Sequence, residues 1–169
     1  MVAAEQFAAS GAEVPLEQVA RHAGVGIGTL YRHFPTREAL IEAVYRREVA
    51  VLCDRAGRLL ATKPPVEALR LWLRSFVTYV DTKRGMATAL KAALAANTDL
   101  HAETHRRLSE AVTSLVRAGV ESGDLRDDVD AMTLLRGVSG ACTVNDDPGW
   151  KKRALAVVEL LIDGMRCRY

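Results

Sequence analysis

Within five residues this chain carries a hydroxyl, a phenol, a guanidinium and an imidazole, on Thr29, Tyr31, Arg32 and His33. Such groups either move protons or make hydrogen bonds, and proton transfer requires them to converge on a reacting atom. Leu30 and Phe34 recur among them at helical spacing, so the apolar pair turns inward and the polar four fan outward. A fan of this kind reads a surface. A hydroxyl and a guanidinium reach base edges, while Tyr and His donate to phosphate oxygens, so double-stranded DNA is the partner these side chains suit.

Elsewhere the chemistry-bearing residues do not assemble. His101 and His105 stand four apart on a predicted helix, yet the intervening Glu103 fits no metalloprotease pattern and no third ligand is evident, so a solvated face is expected and no metal. Cys53, Cys142 and Cys167 lack a C-x-x-C spacing and read as reduced thiols. Asp127-Asp128 and Asp146-Asp147 read as a helix start and a loop. With no glycine-rich phosphate loop and no nucleophile triad, neither an enzyme nor a cofactor is expected. A small helical hydrolase or lyase would have to rest on Tyr79 and His105, which lack a convergent acid/base set.

The polar four need a rigid mount, and residues 16–34 are built to provide one. Two short helices crossing almost at right angles require a small residue where the backbones approach, met by Ala20, and one tolerant of positive φ at the turn, met by Gly24. Leu16, Val19, Val25, Leu30 and Phe34 form the apolar set that locks the pair. Gly26 and Gly28, either side of Ile27, put little bulk at the start of the second helix and let backbone amides approach a phosphate. Pro35 ends that helix, Thr36 caps the next, and Arg37 in its first turn is placed for a phosphate contact.

The run Gly24-Val25-Gly26-Ile27-Gly28-Thr29-Leu30-Tyr31-Arg32-His33-Phe34-Pro35-Thr36-Arg37-Glu38-Ala39-Leu40 resembles the DNA-binding signature of the TetR family of repressors. The similar part covers about the first quarter of the chain; the remainder resembles the family in helix number and length. The resemblance implies an all-α homodimer, a repressor released from operator DNA by a small molecule in its second domain. It assigns DNA contact to Thr29, Tyr31, Arg32, His33 and Arg37, and Gly26, Ile27 and Gly28 at the helix start are expected to join them. A LacI-type head shares the Val-Ala and Ala-Gly-Val part but is followed by an α/β domain, and no alternating strand pattern occurs here. Residues 1–7 match only the second half of the family's first helix, without its basic arm. Residues 1–50 hold five arginines against six glutamates, so such a head is expected to bind weakly or to need low salt. A helical interaction module that has lost DNA binding is the alternative that the incomplete first helix supports.

Periodicity places helices at about 1–10, 15–22, 26–34, 36–61, 65–82, 85–95, 99–121, 128–143 and 149–166. The division expected is a head over 1–45 and a helical effector-binding and dimerisation domain over 46–169. In the body, Trp72, Phe76, Tyr79, Met86, Leu90, Leu108 and Val112 are candidates to line a cavity, Tyr79 orienting a mostly apolar effector. The last two helices carry wide apolar stripes, and Leu134, Leu135, Val138, Cys142, Val157, Val158, Leu161 and Ile162 are expected to meet a second copy in a four-helix bundle, with Gly137 and Gly140 permitting close approach. The chain holds 49% hydrophobic and 26% charged residues at a net charge of +2. No run is long enough for a membrane span and no secretory signal is seen, so a cytoplasmic protein is expected.

Overall fold

The computed structural model describes residues 2–10, 13–87, 90–91, 98–143 and 148–167. Among these the chain is helical: α1 Val2–Ser10, α2 Leu16–His22, α3 Ile27–His33, α4 Arg37–Leu60, α5 Pro65–Gly85, α6 Thr98–Glu121, α7 Ala131–Thr143 and α8 Trp150–Met165. The expected helix at 85–95 falls largely outside the described residues. Extended pairing is limited, among them, to one antiparallel bridge between Leu125 and Arg166. No described helix is long and apolar enough to cross a membrane.

Two compact units emerge, residues 1–50 with 79–104, and residues 51–78 with 105–169. The first holds α1 to α3, with α1 packed on α2 and α2 on α3. Its core draws on Phe7, Leu16, Val19, Ile41 and Tyr45, all buried. The second is built around Leu69, Trp72, Leu73, Val112 and Leu115, and α7 packs along α8 there. Trp72 donates its indole N–H to the Leu52 carbonyl at 2.8 Å and stacks on Phe76 at 6.0 Å between centroids. Its polar atom is thereby satisfied within the core, as a buried indole requires.

Local chemistry sets the ends of the elements. Thr36 caps α4, its hydroxyl accepting from the Ala39 amide at 3.1 Å, as the sequence led us to expect. α7 starts later than the acidic pair suggested. Its cap is Asp130, which accepts from the Thr133 amide at 2.8 Å, whereas Asp128 is held by Arg126 and its carboxyl lies below the usual range because of that side-chain hydrogen bond.

After α6 the chain reverses at Gly123, φ 77°, and the amides of Asp124 and Leu125 both donate to the Gly119 carbonyl at 3.1 and 3.0 Å. The buried Leu125 side chain is folded onto Gly119, where a Cβ would stand 2.8 Å from Leu125 Cγ. Replacing Gly119 by alanine is therefore expected to lower stability by about 1–3 kcal/mol through overpacking. Urea unfolding measures it, and an unchanged midpoint would show that the reversal yields freely.

Candidate DNA-binding site

The turn between α2 and α3 depends on Gly24, whose φ is +70°. There the Gly24 amide donates to the Arg21 carbonyl at 3.1 Å and the Val25 amide to the Ala20 carbonyl at 3.0 Å, closing the end of α2. Ala20, at the crossing, is buried. Leu16, Val19 and Leu30 are buried between the helices and Phe34 is half-buried. Val25 departs from the expected locking set, being 40% exposed. It follows directly on the positive-φ residue, and its side chain turns to the rim of an apolar groove of about 550 Å³ shared with Leu30, Phe34, Leu40 and Val44.

Thr29 and His33 stand along the same groove, and α3 presents its polar residues to solvent. Thr29, Tyr31, Arg32 and His33 are all exposed, Tyr31 by 44%. None of their side chains forms a hydrogen bond or ion pair among the described residues; the His33 ring lies 6.4 Å from the Phe34 ring. Gly26 and Gly28 are exposed, with Gly26 as the N-cap of α3, and Ile27 is half-buried. Neither glycine has a neighbouring atom closer than 4.0 Å to a notional Cβ, so the start of α3 is open to an approaching surface.

Arg37 is placed differently. Half-buried, it donates from Nη1 to the Val14 carbonyl at 2.8 Å, tying the first turn of α4 to the segment before α2. Arg46 is paired with Glu42 at 2.8 Å. Arg21, Arg32 and Arg47 are exposed and have no ion pair among the described residues.

Two families match this chain: "Bacterial regulatory proteins, tetR family" over residues 2–44, and "Transcriptional regulator SbtR-like, C-terminal domain" over residues 64–167. The chain belongs to the TetR family of transcriptional regulators. The TetR transcriptional regulator SCO0520 from Streptomyces coelicolor is 42% identical, with 99% of this chain and 96% of that one covered at a TM-score of 0.90. The TetR transcription regulatory protein from Mycobacterium vanbaalenii is 32% identical over 98% and 91% of the two chains, at a TM-score of 0.77. The ketosteroid transcriptional regulator KstR2 of Mycobacterium tuberculosis, 18% identical over 99% and 92% with a TM-score of 0.61, shares the fold. No curated protein is significantly similar to the chain. Family membership makes it a DNA-binding transcription factor rather than an enzyme.

The expected effector residues are all buried in this TetR chain, Trp72, Phe76, Leu108 and Val112 in one compact unit and Tyr79, Met86 and Leu90 in the other. Six of the eight residues expected to meet a second copy are also interior: Leu134, Leu135, Val138, Cys142, Val158 and Ile162 are buried within the single chain. A side chain already covered by its own fold has no apolar surface left to bury against a partner. Val157 and Leu161 are partly exposed, and the apolar residue left outermost on α8 is Leu160, 72% exposed. Leu160 follows the expected stripe by helical register and escaped it because periodicity shows an apolar face without showing which part the protomer itself covers. Tyr45 was missed too, although the buried series Ile41, Tyr45, Val49 and Leu52 recurs at four, four and three. His101 and His105 are exposed, and no trio of His, Cys, Asp or Glu among the described residues is placed to hold a metal.

These placements separate the two arginines of the head. Arg37→Ala is expected to cost about 1 kcal/mol of unfolding free energy, the worth of its bond to Val14, while Arg32→Ala is expected to stay within about 0.5 kcal/mol. Parallel urea titrations without DNA measure both; equal losses would mean that Arg37 is no more structural than Arg32.

Proposed function

We propose that this TetR regulator is a homodimeric repressor acting in the cytoplasm, holding one recognition helix, α3, in the major groove at each half of a two-fold operator and leaving DNA when a small, mostly apolar effector binds. The observation that carries the reading is the two-sided character of α3: Leu30 is buried while Thr29, Tyr31, Arg32 and His33 are exposed. A helix so divided has one side committed to its own fold and the other available to base edges and phosphates. Gly26, Ile27 and Gly28 bring the start of the helix to the backbone, and Arg37 holds α4 behind it. Trp72, Phe76, Leu108 and Val112, all within one compact unit, are kept as the proposed effector residues, Trp72 with its N–H already engaged.

The dimer is supported by the outer side of α7 and α8. Leu160 stands exposed at an apolar groove of about 230 Å³ with Val129, Thr133, Leu161 and Gly164. Gly137 and Gly140 are exposed on α7, leaving a low surface on which a second copy could seat Leu160. A single recognition helix reads only a few base pairs, so two must be held about 34–36 Å apart to address a two-fold site. Effector binding would tilt α4 and alter that separation, for which a coupling of about 1–3 kcal/mol suffices.

Fluorescence anisotropy on the intergenic DNA beside the chain's own gene tests the DNA reading. Converting both Tyr31 and Arg32 to alanine is expected to weaken binding by tenfold or more at constant salt, from about 1–3 kcal/mol per base contact, with an unchanged melting temperature. Retained affinity in that variant would end the assignment of α3 as the reading helix. For the dimer, Leu160→Glu is expected to shift sedimentation from two copies to one by burying a charge against apolar surface, and an unaltered dimer would exclude this face.

A further inference from the structure

The apolar groove of about 550 Å³ beside α3 is lined only by residues of the head, and helical period accounts for its walls. Two neighbouring rows of α3 reach it, Leu30 with Phe34 and Thr29 with His33, and α4 adds Val44 with Arg47. Residues three or four apart share one side of a helix. The groove is open to solvent, with Val25 40% exposed at its rim and Phe34 and Val44 half-buried. Its volume falls in the range that holds a small organic molecule. Among the described residues its polar lining is Thr29, His33 and Arg47, with no acid. Arg46 is held by Glu42, but the guanidinium of Arg47 is exposed and has no ion pair or hydrogen bond among the described residues. An apolar wall thus stands beside a cation whose donors are unused.

We propose that the head carries a ligand site of its own in this groove, that the ligand is a flat aromatic carboxylic acid bound as the anion, and that this ligand and DNA exclude one another. The exclusion rests on the reading of α3 as the helix that contacts DNA; the binding does not. Charge complementarity selects the anion. Arg47 offers paired N–H donors that fit a carboxylate and His33 a further ring N–H, with no acid in the wall to oppose them. The wall selects the aromatic body: the rings of His33 and Phe34 both line the groove, 6.4 Å apart between centroids and tilted by 52°. A ligand ring gains from offset or edge-to-face contact with such rings beyond the area it buries, and a rigid ring loses less conformational freedom on binding than a flexible fatty chain. Seated there, the acid covers Thr29 and His33, two of the four side chains that α3 offers to DNA, and occupies a cation that a phosphate would use. Competition then arises in the head itself, with no change of shape relayed from the helical body.

Two probes of nearly equal shape, 6-fluoro-2-naphthoate and its neutral amide, differ at one end only. Fluorine NMR gives their dissociation constants with the full chain, with Arg47→Gln and with Val25→Glu. The naphthoate is expected to bind about fivefold more tightly than the amide. Arg47→Gln is expected to remove that preference while the amide stays within twofold and the urea midpoint is unchanged, and Val25→Glu to weaken the naphthoate about fivefold by setting a like charge at the rim. Failure of both probes to bind, as a groove filled by a second copy would give, overturns the site; so does a preference that survives Arg47→Gln or binding that ignores Val25→Glu. Decanoate is expected to displace the naphthoate only at concentrations above those at which unlabelled 2-naphthoate does so, and the reverse order would overturn the aromatic assignment. A saturating amount of the intergenic duplex is expected to raise the apparent dissociation constant of the naphthoate at constant salt, and simultaneous binding would end the exclusion. If the variant with alanine at both Tyr31 and Arg32 keeps its DNA affinity while the naphthoate still responds to Arg47→Gln, the ligand site stands and the reading of α3 fails.

Discussion

One backbone torsion governs the head of this molecule. With Gly24 at φ +70° the chain reverses tightly enough for the Val25 amide to return to the Ala20 carbonyl, and this fixes the course on which α3 leaves α2. Any other residue would resist that conformation, since a Cβ there crowds the neighbouring carbonyl. Everything the site does follows from it: Leu30 is delivered inward against Leu16 and Val19, and the same rotation turns Thr29, Arg32 and His33 outward. A change of torsion would rotate both sets together, so the buried and reading faces cannot be adjusted independently.

Behind α3 the constraint is handed on by Thr36 and Arg37. The threonine closes the open amides of α4, and the arginine ties its first turn to the Val14 carbonyl. A residue at the same distance from the recognition helix can thus contribute by holding α4 in place or by touching a phosphate. Arg37 has the first task visibly in hand.

The head was legible in the sequence because its rules are local. A turn glycine, a crossing alanine, a capping threonine and apolar spacing each act over four residues or fewer, and the structure has them where their chemistry requires. Val25 escaped that reading because a residue next to a positive-φ turn takes its direction from the turn rather than from the helical period. Asp130 displaced Asp127 and Asp128 as the cap because Arg126 engages Asp128, a competition between neighbours that a list of acidic residues does not disclose. The apolar stripes of α7 and α8 were read correctly as apolar, but which residues the protomer covers and which it leaves open depends on the packing of α7 along α8.

The weak charge of the head now acquires a mechanical sense. Residues 1–50 carry more glutamates than arginines, Arg46 is engaged by Glu42 and Arg37 holds Val14. Arg21, Arg32 and Arg47 are left to meet a phosphate backbone on which electrostatics supplies most non-specific affinity. On these cations alone, one head would hold DNA loosely. In the proposed dimer the second head binds at the effective concentration set by the first, and this gain is lost when geometry forbids simultaneous engagement. A strongly basic head would stay on DNA through one contact after its partner had been displaced, and a modest tilt of α4 would release nothing. Under the proposed reading, the few unengaged cations of residues 1–50 would make operator binding depend on both copies together, and a coupling of only a few kcal/mol would be enough for release.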